Sequence, residues 1–260
     1  MYEMRLQNIA LFVGTGKCNA NCAHCAGSIH RENMPKEDRV INEELFYNTL
    51  KYAYERGARS LSLTSGGEPT LAPNSVTKTL DIAKNFDFRK IKLYTNGIRI
   101  GRSIEFSGTY LPLWQSKGLT DVYWTVHSIS EEKNAQVFGI KSYPSLELIV
   151  SRIYKAHLKV RANIVLSRGN ISDLERFKEI VNSLKGYGVD NIAGWPVRDE
   201  KDEYDILNAP SMSEIQEMRE WAKNDRTIQV QTEEHHELYK NKKKLGLFPD
   251  GSLSNSWCNH

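Results

Sequence analysis

Short apolar runs alternate with amphipathic segments over the first three quarters of the chain. The runs predict six strands, at residues 5–13, 60–64, 91–94, 121–126, 160–166 and 192–195. Between them, apolar residues at helical spacing predict helices over 42–57, through 76–83, within 99–119, over 145–157 and over 172–187. Strands that alternate with such helices are typical of βα units on a parallel sheet. Six units connected right-handed predict a partial (β/α)6 barrel.

Two stretches depart from this alternation. Residues 127–142 are predicted as a polar connection, and the character of the chain changes after Asp199. We therefore predict a 1–199 barrel core and a 200–260 α/β extension that packs on the core and covers the active site. Within the extension we predict a helix at 211–223, an edge strand at 227–231 and a helix at 233–245. The pair Asp250-Gly251 within 248–257 predicts a hairpin.

Composition excludes several protein classes. The 260 residues are 40% hydrophobic and 26% charged, as in ordinary globular proteins. No apolar stretch approaches the roughly 20 residues of a membrane span. Charges at Glu3 and Arg5 argue against a secretion signal, so we expect a cytoplasmic protein without a membrane partner. A net charge of +3 does not favour nucleic acid.

A local basic run stands near the end of the chain. It consists of Lys240, Lys242, Lys243 and Lys244. We interpret it as the solvated end of a helix. The alternative is a docking point for an acidic peptide or RNA.

Three of the four cysteines lie in one loop after the first strand. Cys18, Cys22 and Cys25 could grip one cluster, since thiolates are the protein ligands of iron–sulfur clusters. A cubane has four irons, so three cysteines leave one iron open, as in catalytic metal sites. The alternatives are a zinc site with His24, His30 or His260 as fourth ligand, a disulfide, and chance clustering of buried thiols. No second ligand pair supports zinc, and the lack of a secretion signal disfavours a disulfide.

A second motif supports the cluster. About forty residues after the cysteine loop, the second strand ends in Ser65-Gly66-Gly67-Glu68-Pro69. A CxxxCxxC loop followed by this turn resembles the radical S-adenosylmethionine (SAM) superfamily, in the branch with the molybdenum-cofactor cyclase and many peptide-modifying enzymes. The resemblance runs from the first strand to about Asp199.

The resemblance implies a cofactor set and a reaction. A [4Fe-4S] cluster on the three cysteines would bind SAM at its fourth iron. One electron, from a reductant protein such as flavodoxin or ferredoxin, would release a 5′-deoxyadenosyl radical that abstracts hydrogen from an organic substrate. We expect a small molecule such as a nucleotide or sugar, with a peptide also possible. The alternatives are activation of a glycyl-radical enzyme and a non-catalytic zinc- or cluster-binding module.

The resemblance and the strand ends together predict the residues that contact SAM. Gly66 and Gly67 would allow close approach of the backbone, Glu68 would accept from the SAM ammonium, and His24 would border the adenine. The remaining candidates follow later strands: Thr95, Asn96, Ser128, Asn163, Ser167, Arg168 and Trp195. For several of these the alternative is an ordinary turn, cap or core residue.

Cys258 is the remaining cysteine. A thiol near the cavity could donate a hydrogen atom to a substrate radical; the alternative is a surface thiol on a loosely ordered terminus. The tail resembles the beginning of the auxiliary-cluster extension of relatives. One cysteine cannot hold such a cluster, so we predict none.

Overall fold

A computed structural model describes residues 5–40, 42–199, 201–233 and 243–256. The strands are β1 (Asn8–Phe12), β2 (Ser60–Thr64), β3 (Lys90–Thr95), β4 (Asp121–Val126), β5 (Lys159–Leu166), β6 (Asn191–Pro196), β7 (Ile228–Val230), β8 (Lys244–Leu247) and β9 (Leu253–Ser254). The helices are α1 (Glu43–Glu55), α2 (Pro73–Ala83), α3 (Ile98–Arg102), α4 (Ile104–Ser116), α5 (Glu131–Val137), α6 (Leu146–Lys155), α7 (Leu174–Gly186) and α8 (Met212–Ala222). Among these helices, none is long and apolar enough to cross a membrane.

The strands form one open sheet. Their order is β7-β6-β5-β4-β3-β2-β1-β8-β9, and every pairing is parallel except that of β8 with β9. The sheet does not close, because β7 and β9 form its two edges. The predicted parallel α/β architecture, with an incomplete barrel, is confirmed.

Alternation along each strand separates two environments. One face carries apolar side chains that pack in the main core with the helices; it includes Leu61, Leu63, Ile91, Leu93, Val122, Trp124, Val160 and Ala162. The residues between them face the inside of the partial barrel and are largely polar: Ser60, Ser62, Lys90, Lys92, Tyr94, Tyr123 and Arg161. Several of these inner side chains are only half-buried. The inner wall is therefore accessible, unlike the packed interior of a closed barrel.

Local capping explains where two helices begin. Asn42 has extended backbone and its Oδ1 accepts from the amide of Leu45 at 2.9 Å, which starts α1 as predicted. Ser103 is also extended, and its Oγ accepts from Phe106 N at 3.0 Å. This cap divides the single helix that we expected within 99–119 into α3 and α4.

The prediction of a polar connection at 127–142 was wrong, because the segment contains α5. Ser130 caps this helix by accepting from Lys133 N, and Glu131 and Glu132 occupy its first turn. That cap and the acidic first turn were the available signals. The helix is too short for apolar periodicity to reveal it.

The interpretation of Lys244 as part of a solvated helix end was also wrong. Lys244 begins β8 and pairs with Asn8 of β1, so the last two positions of the helix predicted over 233–245 are strand instead. Residues 234–242 lie outside the described part of the chain. The pairing joins positions far apart in sequence, which local periodicity does not report.

Both edges of the sheet receive strands from the 200–260 extension. β7 pairs with β6, and β8 pairs with β1. β8 and β9 form the expected hairpin, in which Gly251 takes φ +86°. The proposed division at residue 199 stays a prediction.

Candidate active site

The cysteine loop and the Gly-Gly-Glu turn are in direct backbone contact. Glu68 N donates to the carbonyl of Lys17 at 2.9 Å. A Cβ on Gly67 would lie 2.3 Å from Lys17 O and 2.4 Å from Gly16 O, closer than any real Cβ contact. Glycine is therefore required at position 67 for the two motifs to meet.

Two side chains direct N–H groups at the cysteine sulfurs. Arg31 Nη2 lies 3.9 Å from Cys25 Sγ, and Asn96 Nδ2 lies 3.8 Å from Cys18 Sγ. Arg31 Nε also donates to Gly66 O at 3.4 Å, which ties the guanidinium to the glycine turn. Hydrogen bonds to sulfur are one of the ways in which proteins tune iron–sulfur clusters. Nothing in the sequence pointed to Arg31, since an isolated arginine in a polar segment carries no signal.

The three thiols are free, half-buried and close enough to affect one another. Burial raises the pKa of Cys22 to about 12, and repulsion from Cys25 and Cys18 adds to this shift. Burial is also the main cause of the raised pKa of Cys18. No disulfide joins any two of these three cysteines.

Their arrangement bears on the kind of metal group. Among the described residues, no three His, Cys, Asp or Glu side chains are placed to hold a single metal ion. A cubane presents a different iron to each thiolate, so its ligands need not converge on one point. Free neighbouring thiols with N–H donors aimed at sulfur fit an iron–sulfur cluster.

Glu68 links the ends of β2 and β3. Its carboxylate is 3% exposed and accepts from Thr95 Oγ1 at 2.7 Å, Thr70 N at 3.0 Å and Asn96 N at 2.8 Å. Burial raises its pKa, and these hydrogen bonds partly oppose the rise. A carboxylate has about four acceptor sites, so one remains for a ligand. Its predicted role towards an ammonium group stays a prediction.

A buried hydroxyl group donates a hydrogen bond to the backbone of Asn96. Tyr143 Oη donates to Asn96 O at 2.6 Å and accepts from Trp124 Nε1 at 2.8 Å. The Tyr143 ring stacks on Phe138, with centroids 5.0 Å apart, and Phe138 O accepts from Asn21 N of the cysteine loop at 2.8 Å. The segment 138–143 thus contacts both the cysteine loop and Asn96. Sequence patterns did not reveal this support.

His24 and His127 form a ring pair beside the loop. Their centroids are 5.8 Å apart. Burial lowers the pKa of His24, and burial followed by repulsion from His24 lowers that of His127 to about 3. His24 Nε2 is buried without a hydrogen-bond partner, as expected if a bound ligand supplies one. Ser128 follows His127, and its Oγ accepts from Ser130 N at 3.1 Å.

The candidates on β5 and β6 fall into two groups. Asn163 is buried and its Oδ1 accepts from Trp195 Nε1 at 3.3 Å, so these two lie together on the inner wall. Ser167 is in a turn, where its amide donates to Ile171 O. Arg168 points instead to the extension: its Nε donates to Ala209 O at 2.8 Å. Their contacts with SAM stay predictions, and Cys258 lies outside the described residues.

Comparison with known proteins agrees with this geometry. The family profile of the radical SAM superfamily matches residues 12–222, most of the chain. The chain belongs to the radical SAM superfamily. The predicted family is therefore confirmed, and membership implies SAM and an iron–sulfur cluster.

A curated relative of this radical SAM chain is the GTP 3',8-cyclase of Haemophilus influenzae (strain PittEE). The two are 26% identical over 162 residues, which cover 62% of this chain and 45% of the relative. The chain thus spans less than half the length of that curated relative.

Solved structures share the fold. SuiB of Streptococcus suis, bound to the precursor peptide SuiA, has a TM-score of 0.72 at 13% identity over 97% of this chain and 60% of its own. Methylornithine synthase (PylB) has a TM-score of 0.63 at 12% identity over 98% of this chain and 77% of its own. At such identities the likeness establishes the common partial-barrel architecture.

Proposed function

We propose that this radical SAM chain is an enzyme that holds a [4Fe-4S] cluster on Cys18, Cys22 and Cys25, cleaves SAM reductively, and abstracts hydrogen from an organic substrate. The supporting observation is the contact between the cysteine loop and the Gly-Gly-Glu turn, with two N–H donors directed at the sulfurs. When bound, the cluster and SAM supply electron transfer and a 5′-deoxyadenosyl radical.

The protein's own residues would bind and orient the cluster and SAM. Three thiolates leave one iron without a protein ligand, which is the position for SAM. Gly66 and Gly67 let the backbone approach the methionine end, and Glu68 keeps one acceptor site for its ammonium. His24, with its unpartnered Nε2, borders the adenine.

The 200–260 extension covers the open side of the barrel. Its residues Asn208 and Ala209 accept hydrogen bonds from the backbone and side chain of Arg168, which follows the end of β5. Through these contacts the extension meets the end of the sheet that carries the cysteine loop. Shielding of this end from water and oxygen suits radical chemistry, and we expect it to proceed in the reducing cytoplasm.

For the substrate we favour a small molecule, because the curated relative is named for GTP. A peptide is the second candidate, because SuiB was solved with its precursor peptide. The electron donor would be a small redox protein such as flavodoxin or ferredoxin. Activation of a glycyl-radical enzyme is a further alternative, and it requires a protein partner as substrate.

The test is anaerobic reconstitution with iron and sulfide, followed by incubation with SAM and dithionite and chromatography for 5′-deoxyadenosine. We expect the wild type and the surface variant Ser116→Ala to form it and Cys22→Ala to form none, with less iron bound. Zinc without iron or sulfide in the wild type would instead establish the metal-binding-module alternative. Formation of 5′-deoxyadenosine by Cys22→Ala would contradict the proposed ligand set.

A further inference from the structure

Three cations surround one tyrosine ring on the inner wall. Lys90 Nζ and Lys92 Nζ of β3 lie 5.5 and 5.7 Å from the centroid of Tyr123 on β4, and Arg161 Cζ of β5 lies 4.8 Å from it. We call Lys90, Lys92 and Arg161 the cationic patch. The ring offers each cation a weak attraction but no counter-charge.

The neighbours of the patch supply one counter-charge for its three cations. Asp121 accepts from Lys90 Nζ at 3.0 Å. Lys92 Nζ donates to a neutral group, Asn8 Oδ1, at 2.9 Å. Arg161 Nη1 reaches the neutral Tyr123 hydroxyl at 3.5 Å, and its Nε is buried without a hydrogen-bond partner.

Electrostatics agree with this geometry. Burial lowers the pKa of Lys92 to about 7, with further repulsion from Lys244, Lys90 and Arg161 that Asp121 only partly offsets. Buried cations are costly unless a negative group compensates them. Such a cluster gains free energy from any anion that fits between the strands.

The patch lies near the beginning of the strands on the inner wall, whereas the cysteine loop follows the end of β1. Lys92 precedes Asn96 by four residues of extended chain, and the Asn96 amide contacts Cys18 Sγ at 3.8 Å. At about 3.3 Å per residue this separation is roughly 13 Å. This separation is the span that SAM and the reacting part of a substrate would occupy if the patch held the far end of the substrate.

We propose that the cationic patch binds an anionic group, a phosphate or a carboxylate, of the enzyme's organic substrate. This inference rests on the proposed function, since it names the substrate class of that reaction. Anchored at Lys92 and Arg161, the substrate would extend along the inner wall towards the cysteine loop. The forked donors of Arg161 suit either oxyanion.

The test measures anion binding directly. Reconstituted wild type, Lys92→Met, Arg161→Met and Lys155→Met are titrated anaerobically with pyrophosphate and, separately, with succinate, at ionic strength held constant with chloride. Methionine removes the charge but keeps an unbranched apolar side chain. Lys155 is the matched control, because it is an exposed lysine at the end of α6 and lies outside the sheet.

We expect saturable binding of at least one anion to the wild type. Since a hydrogen bond to a charged group contributes about 1.5–3 kcal/mol, Lys92→Met and Arg161→Met should each weaken binding about tenfold or more. Lys155→Met should stay within about twofold of the wild type. Preference for pyrophosphate identifies a phosphate and preference for succinate a carboxylate. If one variant fails to fold, the other carries the comparison.

Absence of saturable binding of both anions to the wild type, or equal binding by all four proteins, would overturn the proposal. The anion-binding result can be distinguished from the test of the proposed function. Anion binding without 5′-deoxyadenosine formation would leave the patch assigned and the proposed function wrong. Formation of 5′-deoxyadenosine without anion binding would leave the function standing and this inference wrong.

Discussion

Replacement of Lys92 by methionine should change how the stability of the protein depends on pH. In the folded protein the pKa of Lys92 is lowered to about 7 from an ordinary value of 10.5, mainly by burial. Three cations add repulsion: Lys90 on the same strand, Arg161 on β5 and Lys244 on β8. Asp121 on β4 attracts it. Between the two pKa values the unfolded chain therefore binds more protons than the folded chain.

The sign and size of the effect follow from linkage. Where the unfolded state binds more protons, the free energy of unfolding rises with pH, by about 1.4 kcal/mol per pH unit for one proton. Near pH 7 the folded Lys92 is half protonated, so the rise begins gradually. From pH 7 to pH 9 the wild type should gain roughly 2 kcal/mol through Lys92. Lys92→Met lacks this contribution and should be the more stable protein at pH 7.

Urea denaturation of cluster-free protein under reducing conditions, at pH 7, 8 and 9, measures this contribution. The difference in unfolding free energy between wild type and Lys92→Met isolates the contribution of Lys92. Other titrating groups, such as the thiols with a raised pKa, are present in both proteins. Lys155→Met is the control and should follow the wild type. Parallel stability curves for wild type and Lys92→Met would show that Lys92 is not a buried, repelled cation, and would refute the reasoning.

Three further substitutions probe the support of the site. Gly67→Ala places a Cβ 2.3 Å from a backbone oxygen, so it should lower the free energy of unfolding by about 3 kcal/mol and reduce iron binding. The control Gly169→Ala, with open space around its Cβ, should change neither quantity. Equal iron content in the two variants would contradict the contact between the cysteine loop and the glycine turn. Tyr143→Phe leaves Asn96 O and Trp124 Nε1 without their hydrogen-bond partner and should lower the free energy of unfolding by about 1–3 kcal/mol, measured by urea denaturation. The control Tyr47→Phe, at an exposed position, should change it little. Asn42→Ala removes the cap of α1 and should cost about 1 kcal/mol by the same assay; an unchanged midpoint would exclude a capping role.

Local patterns were sufficient for most of the fold. Ser60–Thr64 and Asp121–Val126 are strands with the bounds that their apolar positions predict, and Asn42 caps the helix that its spacing indicated. These features depend on residues within a few positions of one another. Two failures were local too: α5 is too short to show a period, and the Ser103 cap divided a helix that apolar content alone had joined. The failure at Lys244 was not local, because its partner strand lies far away in the sequence.

The candidate site divides in the same way. The order and spacing of Cys18, Cys22, Cys25 and the Gly-Gly-Glu turn were enough to predict the family, because a ligand loop is a local motif. Their contact, and the contribution of Arg31, required the folded chain. The contact of Arg31 with the Cys25 sulfur and the hydrogen bond from Tyr143 to Asn96 do not follow from the spacing of residues in the sequence.

The sequence by itself determined the alternation of strands and helices, the three-cysteine loop and its glycine turn, because each depends on neighbouring residues. Only the tertiary structure decided which strands lie side by side. That order placed β8 against β1, Glu68 against Asn96, and Lys90, Lys92 and Arg161 around Tyr123. The physical reason is that burial and the distances between charges depend on the whole sheet, in which residues dozens of positions apart become neighbours.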